Sequence, residues 1–239
     1  MISRGKQLFD SKPRYVRFTN FGPADRLVNS IRKYPHAYVI ACLLDKQLKA
    51  EKAWAAPHQI SIRLGMFEIQ ELRRLTEKKW VSVMSRPTPL HRFPAKMGSE
   101  TYLAVQHIAE NYGGNAARIW NDYPSSAAVV YRFLEFEGIG PKIATMATNI
   151  LAREFKVRMS DYFSIDISVD THVRRVFQRM GIVPPDASIE QITYAARAIN
   201  PDFPGLLDFP VWEIGREWCK ARRPNCSQCY VRKRCPKYV

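Results

Sequence analysis

Four cysteines near the C-terminus, Cys219, Cys226, Cys229 and Cys235, are spaced C-x6-C-x2-C-x5-C within 17 residues. Whatever the fold, it can bring these four positions round one centre. Thiolates are soft donors suited to zinc or to an iron–sulfur cluster. The spacing alone leaves both metals open, since short four-cysteine sites are a usual form of structural zinc. The fifth cysteine, Cys42, lies in an apolar stretch, where a free thiol behaves as a small buried hydrophobe. The first residues, Met-Ile-Ser-Arg-Gly-Lys, lack the apolar region of a secretory signal, so a disulfide scaffold is not expected. A cytoplasmic, nucleoid-associated protein is expected, or a nuclear one in a eukaryote.

Charge narrows the partner. Lys and Arg number 37 against 22 Asp and Glu, a formal net charge of +15. Each cation that neutralises a phosphate releases a counterion, so such an excess favours a polyanion, with nucleic acid ahead of acidic membranes and acidic proteins. The C-terminal stretch is dense in Lys and Arg and nearly free of acids, which localises the contact face. No apolar run reaches the ~18 residues of a membrane span.

The 239 residues suffice for one large domain or two smaller ones. Most of the chain reads as helix, with no internal repeat. Residues 37 to 54 begin as an apolar helix that runs through the core and then becomes charged. Phe67, Ile69, Leu72 and Leu75 mark a helix over 66–79, and residues 99–112 another, stopped by Gly113-Gly114. Pro124-Ser125 opens the next helix, with Val129, Val130, Phe133 and Leu134 on its buried face. Ser188 and Gln191 fit a capping box ahead of the stripe Ile189, Ile192, Ala196 and Ile199. Tyr15–Phe18 and residues 157–167 could be extended, but neither has a hairpin partner. The expected class is all-α. The Pro-rich stretch from Arg86 to Pro94 is an exposed loop, with His91, Arg92 and Phe93 as candidate DNA probes.

Two segments carry candidate chemistry. Leu134 to Ala144 reads as helix, tight turn through Gly138, Ile139 and Gly140, then helix. Such glycines let the backbone approach a phosphate, with the free N–H groups of the next helix facing the anion. Lys142 opens that helix. A lysine there can serve as a nucleophile when neutral, or can simply bind phosphate when exposed. Partial burial and the positive end of the helix dipole would both disfavour its ammonium form. The second segment is Ser168-Val-Asp170-Thr-His172. Asp170 precedes an apolar-periodic helix and so suits an N-cap as well as a catalytic carboxylate. Thr171 and His172 suit a structural link to neighbouring helices.

Together these features resemble the endonuclease III family of helix-hairpin-helix DNA glycosylases and AP lyases. The Gly138–Gly140 turn resembles its hairpin, Asp170 lies in a segment similar to its V-D-T-H motif, and the cysteine spacing resembles its terminal cluster loop. The detailed match covers residues 125 to 239. The resemblance implies a [4Fe–4S] cluster on Cys219, Cys226, Cys229 and Cys235, with Lys142 and Asp170 catalytic. It also implies phosphate contacts from Lys220, Arg222 and Arg223 and from Gly138, Ile139 and Gly140. Gln47 aligns with the glutamine that fills the gap left by a flipped base. Its neighbours, Asp45, Lys46, Leu48 and Lys49, depart from the family pattern and leave lesion preference open. The stretch between Lys142 and Asp170 is longer than is usual there. No glutamate lies among residues 37 to 47, which argues against an adenine-mismatch glycosylase.

The fold implied is a six-helix barrel over residues 36–165 and a cluster domain formed by 1–35 with 166–239, with a DNA groove between them. The function implied is a base-excision glycosylase with AP-lyase activity on oxidised or modified pyrimidines in double-stranded DNA. A glycosylase for T or U opposite G, and a non-catalytic DNA-binding protein of the same fold, are the alternatives. The protein is expected to act as a monomer and off the membrane.

Overall fold

The computed structural model describes residues 1–236. Among them the regular structure is wholly helical, twelve α-helices and two 3-10 turns, with no strand. The stretches 15–18 and 157–167 are irregular coil. No helix among the described residues is long and apolar enough to cross a membrane.

Contacts divide the chain into two compact units. One, here the hairpin unit, comprises Arg14–Asp122 and Tyr131–Ile143; the other, the cysteine unit, comprises Met1–Pro13, Tyr123–Val130 and Ala144–Val239. This division differs from the boundaries expected at residues 36 and 165. Residues 14–35 join the hairpin unit because Phe18 stacks on Trp54 with ring centres 4.0 Å apart, and Phe21 meets His58 edge-on. Residues 144–165 join the cysteine unit, where Asn149 donates to the Gly205 carbonyl at 2.7 Å.

The hairpin unit is built round α3 (Pro35–Leu44), all ten residues of which are buried. Helices α2 (Gly22–Asn29) and α4 (Ala50–Leu64) pack against it. The single helix expected over 37–54 is therefore two. The chain leaves α3 through a turn at Asp45–Lys49, in which Gln47 takes φ +52°. The Asp45 carboxylate accepts from the Trp54 indole at 3.3 Å, tying the turn to α4. The helix expected over 66–79 shrinks to one turn, α5 (Ile69–Leu72), because Thr76 starts α6 (Glu77–Ser85) by accepting from the Lys79 amide. Helix α7 (Pro94–Asn111) lies tight on α6; a Cβ on Gly98 would come within 2.6 Å of Val81 Cα. It stops, as expected, ahead of Gly113 and Gly114, both at positive φ. Trp80, Phe133 and Phe136 complete the buried interior with a 3-10 turn at Ala116–Ile119.

Two helices carry the chain from one unit into the other: α8 (Ser126–Leu134) and α9 (Pro141–Arg153). Val129 and Phe133 are buried as expected, but Leu134, at the end of α8, is exposed.

In the cysteine unit, α10 (Thr171–Arg179) packs on α12 (Asp208–Glu217). Val173, Val176 and Phe177 of α10 bury against Val211 and Ile214 of α12, each worth ~1.5–3 kcal/mol relative to exposure. The helices touch at Gly215, where a Cβ would sit 2.7 Å from His172 Cβ. Helix α11 (Ile189–Ile199) begins with the complete Ser188–Gln191 capping box. Of its expected stripe, Ile192 and Ala196 are buried while Ile189 and Ile199, at the two ends, are exposed. Helix α1 (Ile2–Asp10) lies on the 3-10 turn Pro204–Leu207. The long segment after α9 has a structural use: Asp161 accepts from the Ser126 amide and hydroxyl, closing the start of α8.

Candidate active site and cysteine centre

The hairpin turn follows α8 directly. Gly138 takes φ +85°, a conformation that L side chains rarely adopt. Ile139 is buried and its amide donates to the Phe136 carbonyl at 2.9 Å, which closes the turn. Gly140 differs from Gly138: nothing lies within 4 Å of where its Cβ would be. That open face is where an anion could approach the backbone at the N-terminus of α9.

Lys142 is the second residue of α9 and is exposed. The partial burial expected of it is absent, because it sits on the first turn of the helix ahead of the buried run from Ile143 to Thr145.

Asp170 is the N-cap of α10, and its carboxylate accepts from the Val173 amide at 2.7 Å. Its companion Asp208 carried no sequence signal. Asp208 accepts from the Ser168 amide at 2.7 Å, two residues before Asp170. Burial pushes its pKa up, the charge of Arg153 acts in the opposite sense, and the charge of Asp170 adds to the rise. Lys142 and Asp170 belong to different units.

Gln47 is exposed at the tip of the turn that ends α3. His91, expected to be a surface probe, is instead buried, at 3% exposure. The Phe93 amide donates to its Nδ1 at 3.0 Å, so Nε2 donates to the Lys46 carbonyl at 2.8 Å. Arg92 and Phe93 remain exposed.

Cys219, Cys226, Cys229 and Cys235 line one cavity of about 30 Å³, walled by Val176, Met180, Ile214 and Trp218. Burial pushes the Cys229 thiol up, and the three neighbouring cysteines add to the shift. Crowded thiols in such a place ionise together only if a cation relieves their repulsion. Among the described residues no three His, Cys, Asp or Glu side chains form a group that could hold a single metal ion.

Two arginines of α10 hold the loop. Arg175 donates to the Cys219 carbonyl at 2.6 Å and the Gly215 carbonyl at 2.9 Å, and bonds His172 at 2.9 Å. Arg179 donates to the Lys220 carbonyl at 2.7 Å and the Ala221 carbonyl at 3.1 Å. With its backbone gripped from behind, the loop leaves the side chains of Lys220, Arg222 and Arg223 exposed. Neither arginine was singled out in the sequence; their i, i+4 spacing on a helix that starts at the candidate aspartate is the signal that could have found them.

No protein-family model matches the chain. It is 28% identical to endonuclease III of Sulfolobus acidocaldarius over 135 residues, which is 54% of this chain and 56% of that protein. It is 28% identical to endonuclease III of Thermotoga maritima over 131 residues, 55% of this chain and 52% of that one. The chain thus spans about half the length of the curated relatives it matches. A solved non-covalent endonuclease III–DNA complex shares the fold with a TM-score of 0.63, covering 98% of this chain and 92% of that one at 17% identity.

Proposed function

Taking this chain as an endonuclease III-like helix-hairpin-helix protein, we propose that it is a base-excision DNA glycosylase with an associated AP-lyase activity. Its substrate is duplex DNA carrying an oxidised or otherwise modified pyrimidine, or an abasic site. The observation that carries this reading is the placement of Lys142, exposed on the first turn of α9 directly after a hairpin whose Gly140 stands open.

The damaged nucleotide leaves the stack at a cost of a few kcal/mol, least for a weakened pair. The Lys142 amine attacks the sugar C1′ as the glycosidic bond breaks and the base leaves with its electron pair and a proton; the attached nitrogen gives up a proton, the C1′–O4′ bond opens with O4′ taking a proton, and a Schiff base remains. Loss of a C2′ proton then expels the 3′ phosphate by β-elimination. The Asp170 carboxylate is assigned to stabilising positive charge that develops at the sugar. The hairpin amides and the cations Lys220, Arg222 and Arg223 bind backbone phosphates, and Gln47 fills the space the flipped base vacates.

The cysteine cavity fits a [4Fe–4S] cluster. All four cysteines line one cavity. A cluster takes one cysteine on each of its irons, and the four cysteines of this loop supply that set. When bound it would clamp the loop that presents the basic residues. The protein works on DNA as a monomer.

A panel of duplexes, each with a single different lesion, tests the activity. Cleavage of the strand at an oxidised pyrimidine is expected. Cleavage confined to thymine or uracil opposite guanine would replace the substrate assignment, and no cleavage of any duplex would remove the enzymatic one.

A further inference from the structure

The turn after α3 and the hairpin before α9 are joined by a partly buried ion pair that the mechanism above does not use. Lys46 bonds the Glu100 carboxylate of α7 and donates to the Gly138 carbonyl at 2.9 Å. The Glu100 side chain is only 6% exposed, and its second oxygen has Lys96 at 3.7 Å. A Cβ on Gly138 would fall within 2.6 Å of both the Glu100 carboxylate and the Lys46 ammonium. The pair therefore presses on the hairpin where the chain turns at positive φ. The Lys46 backbone is fixed from the other side, because buried His91 donates to its carbonyl. Gln47 is the next residue.

A buried carboxylate is costly unless its partner is held in good geometry. Here the partner also donates to one backbone carbonyl of the hairpin turn. We propose that Lys46 and Glu100 are positioning residues for DNA binding: one clamp fixes the hairpin for a phosphate and sets the turn that carries Gln47. The inference rests on the reading of the hairpin as a DNA-binding element. It deepens that reading by making two contact segments, 92 residues apart at Lys46 and Gly138, move as one.

The test is the salt dependence of binding to an undamaged duplex, which needs no catalysis. Each phosphate contact contributes ~0.9 to the slope of log K against log salt. Lys46→Met with Glu100→Gln removes the clamp without leaving a lone charge. It is expected to melt cooperatively, lose about one contact's worth of slope and bind about tenfold more weakly at moderate salt. Lys46→Arg, which keeps donors for both acceptors, is expected to keep the wild-type slope. The inference is overturned if the folded double variant keeps wild-type slope and affinity, or if Lys46→Arg loses the contact. Wild-type protein that binds duplex but never nicks it removes the lyase reading and leaves this comparison to decide the clamp. Wild-type protein that binds no duplex removes both.

Discussion

Arg179 points one guanidinium nitrogen at the Cys219 sulfur from 3.6 Å, and the same side chain grips the next two carbonyls of the loop. The Cys235 thiol in turn lies 3.6 Å from the Arg179 carbonyl. One residue of α10 thus meets the first and last cysteines of the set. Hydrogen bonds to ligand sulfur tune a metal site, and bonds from a charged donor exceed neutral ones. Arg179→Met should lower stability by ~2 kcal/mol and weaken duplex binding. Iron and sulfide analysis of the wild-type protein should give about four of each per chain, with less in the variant. Stoichiometric zinc in place of iron would contradict the cluster assignment.

Asp170 is the N-cap of α10 and the proposed catalytic carboxylate, and substitutions separate the two. Asparagine caps a helix as well as aspartate, so Asp170→Asn should stay within ~0.5 kcal/mol of wild-type stability while losing base excision. Asp170→Ala should lose both activity and ~1 kcal/mol of stability. Thermal melts beside single-turnover cleavage distinguish them; full activity in the asparagine variant would end the catalytic role.

The two hairpin glycines should respond in opposite ways. Gly138→Ala meets a strained φ and the Glu100 carboxylate, at a cost of ~2 kcal/mol or more. Gly140→Ala meets open space, so its melting point should hold while duplex affinity falls. Urea unfolding and binding isotherms on the two variants give the comparison.

His36 supplies a pH signature. Burial pushes its pKa below the ordinary 6.5, outweighing the upward effect of its bond to the Phe67 carbonyl at 2.8 Å. The unfolded chain takes up a proton near 6.5 that the folded state refuses. Stability should therefore be full above that pH and decline as pH falls from 6.5 toward the lower folded pKa. Urea midpoints across this range should fall less steeply in His36→Phe; an unchanged slope would contradict the burial effect.

Local rules made much of the fold legible. The capping box at Ser188, the glycine stop of α7 and the N-cap at Asp170 are each written within a few residues. So was the convergence of four cysteines, whose positions span a short loop. Features that depend on distant partners were hidden. Lys46 looked like a departure from a family pattern until Glu100, 54 positions later, supplied its acceptor. His91 read as a loop probe because the carbonyl that buries it belongs to residue 46. The break at Gln47 was missed because the apolar run of α3 continues into a charged segment with helical composition. Phe18 stacking on Trp54 shifted the expected domain boundary for the same reason.

Borohydride reduction of the protein on an abasic duplex tests the central claim most directly, because it captures a Schiff base covalently. The account predicts a trapped protein–DNA adduct for wild-type protein and none for Lys142→Ala of equal melting temperature. An adduct that persists undiminished in Lys142→Ala, or wild-type protein that binds the abasic duplex without ever being trapped, would contradict it.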